Sequence, residues 1–374
     1  MNLVYKSLKF LKSLSIILII SFFLSLIIDF FFGKYILKSL DSYLQKTEFY
    51  ERLLRTDHPV YHHTFLPNAE YKLTRGFEKN SNYTICTNNF GFRSECKEKK
   101  NKNFDFGFMG DSFVEGYSVN YEDSFVGIFK KNKKNVSVAN LGVTSYSPKI
   151  YFSKLNYLIK NGFTFKHIIF FIDISDLYDD DVNYKINDDL TVEEKYYKRK
   201  DLKTKRILRK NFPLTNYYMY VIRKNKNLNN NIDKIDQEVP NWHYKAKWKG
   251  EWTYHQNDKH PQYISKIPVA QKNILDMMEK VYELLKRNNI KISLAVYPWP
   301  QQLEKDTVNS KHVLMWKNFC IDKCEKFIDY FPFFFDEMNK TDFIQTYKKY
   351  YWWNDIHFNK LGNKIIAEKL LEIF

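Results

Sequence analysis

The sequence has few of the residues that build metal sites. Its 374 residues include four cysteines and nine histidines. No group of them has the spacing of zinc ligands. A metal-dependent mechanism is therefore not predicted, and the sequence predicts no other cofactor.

A nucleic-acid-binding motif is also lacking, although the chain carries a formal net charge of +16. Its lysines are spread between asparagines, tyrosines and acidic residues and form no basic helix. We interpret the excess charge as a solvated surface, with attraction to anionic glycans or lipid headgroups as a secondary effect. No nucleic-acid partner is predicted.

One long apolar run stands near the N-terminus. From Ser13 to Gly33 the chain is apolar apart from serines and Asp29, and three lysines precede it. A helix of this length would span roughly 31 Å, enough to cross a bilayer. A cleaved signal peptide is the alternative, but the run is long and residues 30–33 offer no small-residue cleavage site. We predict a cytoplasmic N-terminus at 1–12, a signal-anchor helix at 13–33, and a stalk and pre-domain segment at 34–104.

The four cysteines form two pairs along the sequence. Cys86 and Cys96 bracket a short segment with a turn, and could close a small loop in an oxidising compartment. Cys320 and Cys324 stand four apart in a predicted helix, Met315 to Phe327. Ideal helix geometry suits a disulfide poorly. Free cysteines and cross-pairing with the first pair therefore both remain open.

From Asp105 onward, short apolar runs alternate with amphipathic stretches. The predicted buried strands are Asp105 to Met109, Val136 to Leu141, His167 to Ile174 and Lys291 to Tyr297. The predicted helices are Ser124 to Asn132, Pro148 to Asn161, Ala270 to Asn288 and Asn359 to Ile373. This order predicts a three-layer α/β/α sandwich with a central parallel sheet over 105–374, interrupted by an insertion at about 177–266. A site is expected at the carboxyl ends of the strands.

A serine follows the first of these strands. Residues 106–113 read as a buried strand that turns at Gly110 and reaches Ser112, while Asp355 and His357 stand just before the last predicted helix. A serine hydroxyl needs an imidazole to take its proton and a carboxylate to orient that imidazole. We therefore predict Ser112 as nucleophile, His357 as general base and Asp355 as its orienting acid. For Gly-Asp-Ser alone, an ordinary turn with an N-cap serine is the alternative.

These segments resemble the blocks of the SGNH or GDSL hydrolases over about two thirds of the chain. The Gly-Asp-Ser tripeptide ending at Ser112 matches the first block, Gly142 the second, and Asp355 with His357 the last. The resemblance implies a flavodoxin-like sheet and an acyl-enzyme. It also implies that the backbone N–H groups of Ser112 and Gly142 form an oxyanion hole.

The sequence departs from the family pattern twice. Where the family has an oxyanion-binding Asn, this chain has Ser175, whose hydroxyl reaches less far than an amide. The family's late acid usually stands three residues before the histidine, where this chain has Asn354. The Asp-x-His spacing of Asp355 resembles that of SGNH-like proteins that O-acetylate bacterial exopolysaccharides. Asp355 is therefore predicted as the acid, and Asn354 as an orienting or substrate-binding residue.

Other residues are candidates for substrate contact. Asp111 precedes the nucleophile, and Tyr297 and Trp299 form an aromatic turn after the last predicted strand that could wall an acceptor site. Packing against the core is the alternative for this turn. Several aromatic residues of the insertion could stack on sugar rings, and packing against the core is again the alternative. These are Trp242, Tyr244, Trp248, Trp252 and Tyr254.

Two further features favour structural roles. His58, His62 and His63 lie within six residues, and we predict that they belong to a pre-domain strand and turn rather than to a metal or catalytic site. Arg93 is expected to meet a carboxylate rather than a substrate.

The sequence therefore predicts a serine esterase of SGNH type that removes O-acyl groups, O-acetyl above all, from an extracytoplasmic glycan. An O-acetyltransferase that works beside a membrane-bound O-acyltransferase is the alternative, and a non-catalytic glycan-binding subunit is an alternative of another class. The resemblance implies a single-pass protein of the bacterial inner membrane with its domain outside. Lysines on both sides of the span leave its orientation to that resemblance.

Overall fold

A computed structural model of the chain describes residues 2–39, 54–74, 82–98, 101–195, 211–219, 221–222, 247–254 and 257–374. The chain divides into two compact units, residues 1–50 with 196–238, and residues 51–195 with 239–374. The insertion predicted at about 177–266 thus belongs to both units. Its two ends stay with the sheet domain because they pack there, as where the Trp252 indole donates to the carbonyl of Ile174 at 3.1 Å.

The first unit contains one long helix, Asn2–Ser39. Within the described residues it is the one helix long and apolar enough to cross a membrane, from Lys9 to Leu37. Most of its large apolar side chains between Ile16 and Phe32 are exposed, as expected for a surface that faces lipid. Residues 40–53, part of the predicted stalk and pre-domain segment, lie outside the described residues.

The second unit is built on a five-stranded parallel sheet, which confirms the predicted fold class. Its strands are β5 (Asn103–Met109), β6 (Val138–Asn140), β7 (Thr164–Ile172), β10 (Lys291–Val296) and β11 (Lys326–Asp329). They are ordered β11-β10-β7-β5-β6, and every neighbouring pair is parallel. The strand β11 was not predicted, because the expected helix ran through its first two residues.

Helices cover the sheet, and alternate residues of β7 show how. Phe170 packs on Tyr151, with ring centroids 5.7 Å apart, whereas its neighbour Phe171 packs on Phe125 at 4.6 Å. Successive side chains of a strand point to opposite faces, so each face meets a different helix. The helices of this unit are Ser112–Glu115, Phe125–Asn132, Pro148–Lys160, Asp176–Tyr178, Lys247–Gly250, Ile267–Arg287, Pro300–Lys305, Lys311–Cys320, Phe331–Lys340, Phe343–Tyr350 and Lys360–Ile373.

Three antiparallel hairpins accompany the sheet. They pair β1 (Arg55–His58) with β2 (His62–Phe65), β3 (Glu70–Thr74) with β4 (Asn82–Cys86), and β8 (Tyr184–Ile186) with β9 (Val192–Glu194). The three clustered histidines lie on the first hairpin, as predicted. His63 is fixed there by a 2.8 Å contact between its Nε2 and the carbonyl of Thr144, and burial lowers its pKa well below the usual range.

Arg93 is buried beside the loop that follows Ser112. Its guanidinium donates to main-chain carbonyls, that of Glu115 at 2.6 Å and those of Gly116 and Val119, and its expected contact with a carboxylate remains a prediction. These carbonyls lie at the end of the short helix that begins at Ser112 and in the loop after it, and carbonyls near a helix end need donors from elsewhere. Arg93 therefore supports the loop behind the candidate nucleophile.

Both cysteine pairs form disulfides within the second unit. Cys86 pairs with Cys96, as the sequence suggested, and Cys320 pairs with Cys324 across a Cα–Cα distance of 4.8 Å. The second pairing corrects the expectation of free or cross-paired cysteines. The observed helix ends at Cys320, and a turn at 321–323 separates it from Cys324, so the two cysteines do not lie on one ideal helix.

Candidate active site

The candidate nucleophile lies where β5 ends. Gly110 follows the strand, and a Cβ atom there would lie 2.4 Å from Cγ2 of Val114 and 2.8 Å from the carbonyl of Phe171. Only glycine fits this turn without a shift. Asp111 then caps the short helix by accepting from the N–H of Phe113 at 3.0 Å. Ser112 is consequently the first residue of that helix, at the carboxyl end of the parallel sheet.

The structure brings the three predicted catalytic residues into one hydrogen-bonded chain. Nε2 of His357 lies 2.7 Å from Oγ of Ser112, and Nδ1 of His357 lies 2.6 Å from Oδ1 of Asp355. Ser112 and His357 are separated by 245 positions. Their meeting is therefore a product of the fold and not of local geometry.

The two-residue spacing of the acid and the imidazole has a local explanation. The carboxylate of Asp355 accepts from the backbone N–H of His357 at 3.2 Å as well as contacting its ring. Bonding between an Asp side chain and the backbone two residues on is typical of a tight turn. The N–H of Asp355 donates to the hydroxyl of buried Tyr347 at 3.0 Å, which fixes this turn from below.

Asn354 occupies the turn beside the acid. Its φ of 61° is left-handed, a conformation that Asn adopts more readily than most residues. The carboxylate that contacts the imidazole is that of Asp355. The left-handed backbone of the turn accounts for an asparagine at position 354. Its predicted orienting or substrate-binding role remains a prediction.

Two aromatic rings pack on the imidazole of His357. The ring of Phe113 lies 4.9 Å away and that of Tyr117 lies 4.4 Å away, centroid to centroid. Tyr117 was not identified from the sequence. The sequence signal is Gly116, since glycine commonly ends a helix. In the structure it ends the helix of Ser112 with a φ of 74° and turns the chain at Tyr117.

The two predicted main-chain oxyanion donors differ in their hydrogen bonds. Among the described residues, the backbone N–H of Ser112 has no hydrogen-bond acceptor. The N–H of Gly142 donates to Oδ1 of Asn140 at 3.1 Å, and that amide donates in turn to the carbonyl of Val114 at 2.7 Å. Gly142 would have to exchange this bond in order to bind an oxyanion. Asn140 was not identified from the sequence.

Ser175 follows β7 and is buried. Its N–H donates to Oδ1 of Asp173 at 2.7 Å, which shapes the turn after the strand. Its predicted use as a third oxyanion donor remains a prediction. The other oxygen of Asp173 accepts from the indole of Trp299 at 2.9 Å.

Asp111 faces the interior. Its Oδ2 lies 3.1 Å from Oγ of Ser112, and only 4% of the residue is exposed. Burial, with the nearby carboxyl of Asp173, raises the pKa of Asp111 well above its usual range.

The aromatic turn after β10 is packed inside the domain. Tyr297 and Trp299 are both buried, and the ring of Tyr297 lies 4.7 Å from that of Phe113. Trp252 of the insertion is buried as well. In this conformation the three rings pack inside the domain, which was the alternative to stacking on a glycan. Trp242 and Tyr244 lie outside the described residues, as does the side chain of Trp248.

A buried lysine supports the loop that carries Gly142. Nζ of Lys154 donates to the carbonyl of Leu141 at 2.9 Å, in the same peptide unit as the N–H of Gly142. The rings of Tyr61, Phe92 and Tyr146 surround it with centroids 4.8 to 5.4 Å from Nζ. Burial lowers the pKa of Lys154 to about 7.

This pKa predicts a dependence of stability on pH. Unfolded lysine has a pKa of about 10.4, so between pH 7 and 10 the unfolded chain binds a proton at this position that the folded chain does not. Lys154 therefore makes the free energy of unfolding rise with pH in that window, by on the order of 2 to 3 kcal/mol between pH 7 and 9.5. We expect Lys154→Met to remove this rise in denaturant unfolding of the full chain in detergent.

The matched control is Lys160→Met, at the exposed end of the same helix. It should leave the pH dependence of the unfolding free energy as in the parent. Parallel curves for the parent and Lys154→Met would contradict the prediction.

Fold and site together describe an α/β domain with a Ser-His-Asp arrangement at the carboxyl ends of a parallel sheet. No protein-family model and no curated protein matches the chain. Solved structures do resemble it. One is a member of the lipolytic G-D-S-L family from Veillonella parvula, with 13% identity, a TM-score of 0.41, and coverage of 72% of this chain and 97% of that one.

Two esterase structures are similar to the chain at the same level. A catalytic mutant of an acetylxylan esterase from Geobacillus stearothermophilus has 11% identity and a TM-score of 0.40, with 74% of this chain and 95% of that one covered. The psychrotrophic esterase EstA from Pseudoalteromonas sp. has 9% identity and a TM-score of 0.35, with 73% and 96% covered. Because all three scores lie below 0.5, the chemistry of the site is interpreted from this chain's own residues.

Proposed function

We propose that this protein is a serine-dependent acyl ester hydrolase that works through an acyl-enzyme on Ser112. The observation that carries the proposal is the continuous contact from Ser112 Oγ through the imidazole of His357 to the carboxylate of Asp355. This is the arrangement that activates a serine hydroxyl at neutral pH.

The reaction follows from the position of each group. Oγ of Ser112 attacks the ester carbonyl while Nε2 of His357 takes its proton, and Asp355 stabilises the imidazolium. The imidazolium returns that proton to the departing alkoxide, so the alcohol leaves and the acyl group stays on Ser112. Water then attacks the acyl-enzyme and gives its proton to His357. The imidazolium returns that proton to Oγ of Ser112 as the carboxylic acid leaves, which restores the serine hydroxyl and the neutral imidazole.

Stabilisation of the tetrahedral intermediate is assigned to main-chain donors. The N–H of Ser112 is available for an oxyanion, and the N–H of Gly142 joins it once released from Asn140. Preorganised donors of this kind supply a large share of catalysis in acyl transfer. Ser175 is the third candidate donor.

The proposed substrate is an O-acetyl group on an extracytoplasmic glycan. The Asp-x-His spacing of Asp355 and His357, which resembles that of polysaccharide O-acetylation proteins, supports this choice. Two disulfides in the sheet domain support an oxidising compartment. We therefore place the domain outside the bacterial inner membrane, anchored by the single span of the helix Asn2–Ser39.

The fate of the acyl group separates this proposal from the transferase that would work with a membrane-bound O-acyltransferase. Full-length protein in detergent is incubated with an activated acetyl ester, with and without a deacetylated bacterial polysaccharide. We expect acetate as the product in both cases, and an acetylated protein on rapid acid quench that maps to Ser112. Acetyl found on the polysaccharide instead of acetate would establish the transferase. Polysaccharide binding without acetate or labelled serine would establish the non-catalytic subunit.

A further inference from the structure

The membrane-spanning helix carries one buried acid, Asp29, within its apolar stretch. Only 2% of the residue is exposed, and both carboxylate oxygens are used. Oδ1 accepts from the backbone N–H of Leu214 at 2.8 Å, and Oδ2 accepts from that of Thr215 at 2.7 Å. Asp29 therefore caps the start of a short helix, residues 213–219, that belongs to the same compact unit.

Neighbouring positions of the long helix complete this contact. Gly33 lies one turn after Asp29, and a Cβ atom there would lie 2.9 Å from the ring of Pro213. The rings of Phe30 and Phe212 lie 5.9 Å apart. Residues four apart share one face of a helix, so Asp29 and Gly33 form one docking face.

The docked segment has the composition of a membrane-interface element. Residues 211–222 contain no charged residue and include three tyrosines, whereas the flanking residues 196–210 contain eight lysines and arginines and one acid. Tyrosine is enriched at membrane interfaces, and basic residues attract anionic headgroups. The side chains of Tyr218, Met219 and Ile222 are exposed although they are large and apolar or aromatic.

The position of Asp29 along the span fits the same location. From Ser13, where the apolar run begins, to Asp29 the helix rises about 24 Å, most of the roughly 30 Å thickness of the hydrocarbon core. Asp29 therefore lies near the far boundary of the bilayer. A carboxylate and two helix N–H groups that satisfy one another are tolerated there at little cost.

We propose that residues 211–219, with 221 and 222, form a second membrane element, which lies in the headgroup boundary of the outer leaflet and is held on the spanning helix by Asp29 and Gly33. Tyr218, Met219 and Ile222 enter the bilayer. The inference rests on the membrane span proposed above and not on the esterase chemistry. Asp29 thus forms a joint between the spanning helix and the insertion. Cleavage of the chain after the span would leave Asp29 and the insertion on different fragments.

The test measures the depth of Met219 in the full-length protein reconstituted in vesicles of phosphatidylcholine and phosphatidylglycerol. The four native cysteines are paired, so a nitroxide label on Met219→Cys is unique. Its collisions with oxygen, which partitions into lipid, are compared with those of a water-soluble nickel chelate. Leu18→Cys, exposed on the span, and Leu314→Cys, exposed on the sheet domain, are the lipid and water references.

We expect the label at position 219 to resemble that at 18, with nickel collisions at least fivefold rarer than at 314. Nickel access at 219 equal to that at 314, with 18 still shielded, would overturn the interfacial element and leave the span intact. Nickel access at 18 would overturn the span and this inference with it. Ester turnover by the same samples reports separately on the catalytic proposal.

A second pair of variants tests the joint. Asp29→Ala removes both acceptors, and Gly33→Leu adds a side chain that clashes with Oδ1 of Asp29 and with the ring of Pro213. In each variant we expect nickel access at 219 to rise several-fold, with no change at 18. A label at 219 that stays shielded in both variants would overturn docking through this face.

Discussion

Replacement of Ser112 by alanine is expected to lower ester turnover by about three to six orders of magnitude. The variant keeps the fold, since the hydroxyl is small and the helix cap comes from Asp111. It lacks the hydroxyl that contacts the imidazole of His357. The measurement is kcat/KM for an activated acetyl ester, with full-length protein in detergent.

His357→Ala should lose about as much as Ser112→Ala. The double variant should be no slower than either single variant, because residues that act as one unit have strongly non-additive effects. Additive losses would mean that the two residues act independently, and this would contradict the proposed proton transfer.

The fold offers a matched control in a second serine and histidine pair. Oγ of Ser293 lies 2.9 Å from Nε2 of His167, but both residues lie in the first halves of their strands, away from the carboxyl ends. Burial also lowers the pKa of His167 to about 4. Ser293→Ala should therefore keep turnover within about threefold of the parent. Equal losses in Ser112→Ala and Ser293→Ala would point to damage to the sheet.

Much of the sheet could be predicted because its signals are local. Four of the five strands are short, buried apolar runs, and each was located to within a few residues. The strand Lys326–Asp329 was missed because it has four residues and only one of them is fully buried. The disulfide at Cys324 was missed for a related reason, since the position where a helix ends decides whether its thiols can meet.

The site divides in the same way. Ser112, Asp355 and His357 could be found because each lies in a short motif with a chemical reason. Asn140 and Lys154 could not be found in this way. Their roles come from contacts with residues distant in the sequence, Asn140 with Val114 and Lys154 with Leu141. Burial creates these roles, as when it lowers the pKa of Lys154 to about 7, and one sequence alone shows burial poorly.

The assignment of the acid leads to the other large effect. Asp355→Asn should lower kcat/KM by about two to four orders of magnitude. The amide keeps the size of the side chain and its bond to the N–H of His357. Its loss of charge, however, removes the stabilisation of the imidazolium, and its NH₂ group can favour the wrong tautomer.

Asn354 provides the contrast, because it neighbours the acid while the carboxylate that contacts the imidazole of His357 is that of Asp355. Asn354→Gly keeps the left-handed backbone at this turn and should cost less than about tenfold in kcat/KM. Asn354→Val, which disfavours that backbone, should lower thermal stability as well as activity. A larger loss of kcat/KM in Asn354→Gly than in Asp355→Asn would mean that Asn354, and not Asp355, orients the imidazole of His357. With the contacts of 2.6 Å from Asp355 to His357 and 2.7 Å from His357 to Ser112, we expect the opposite order.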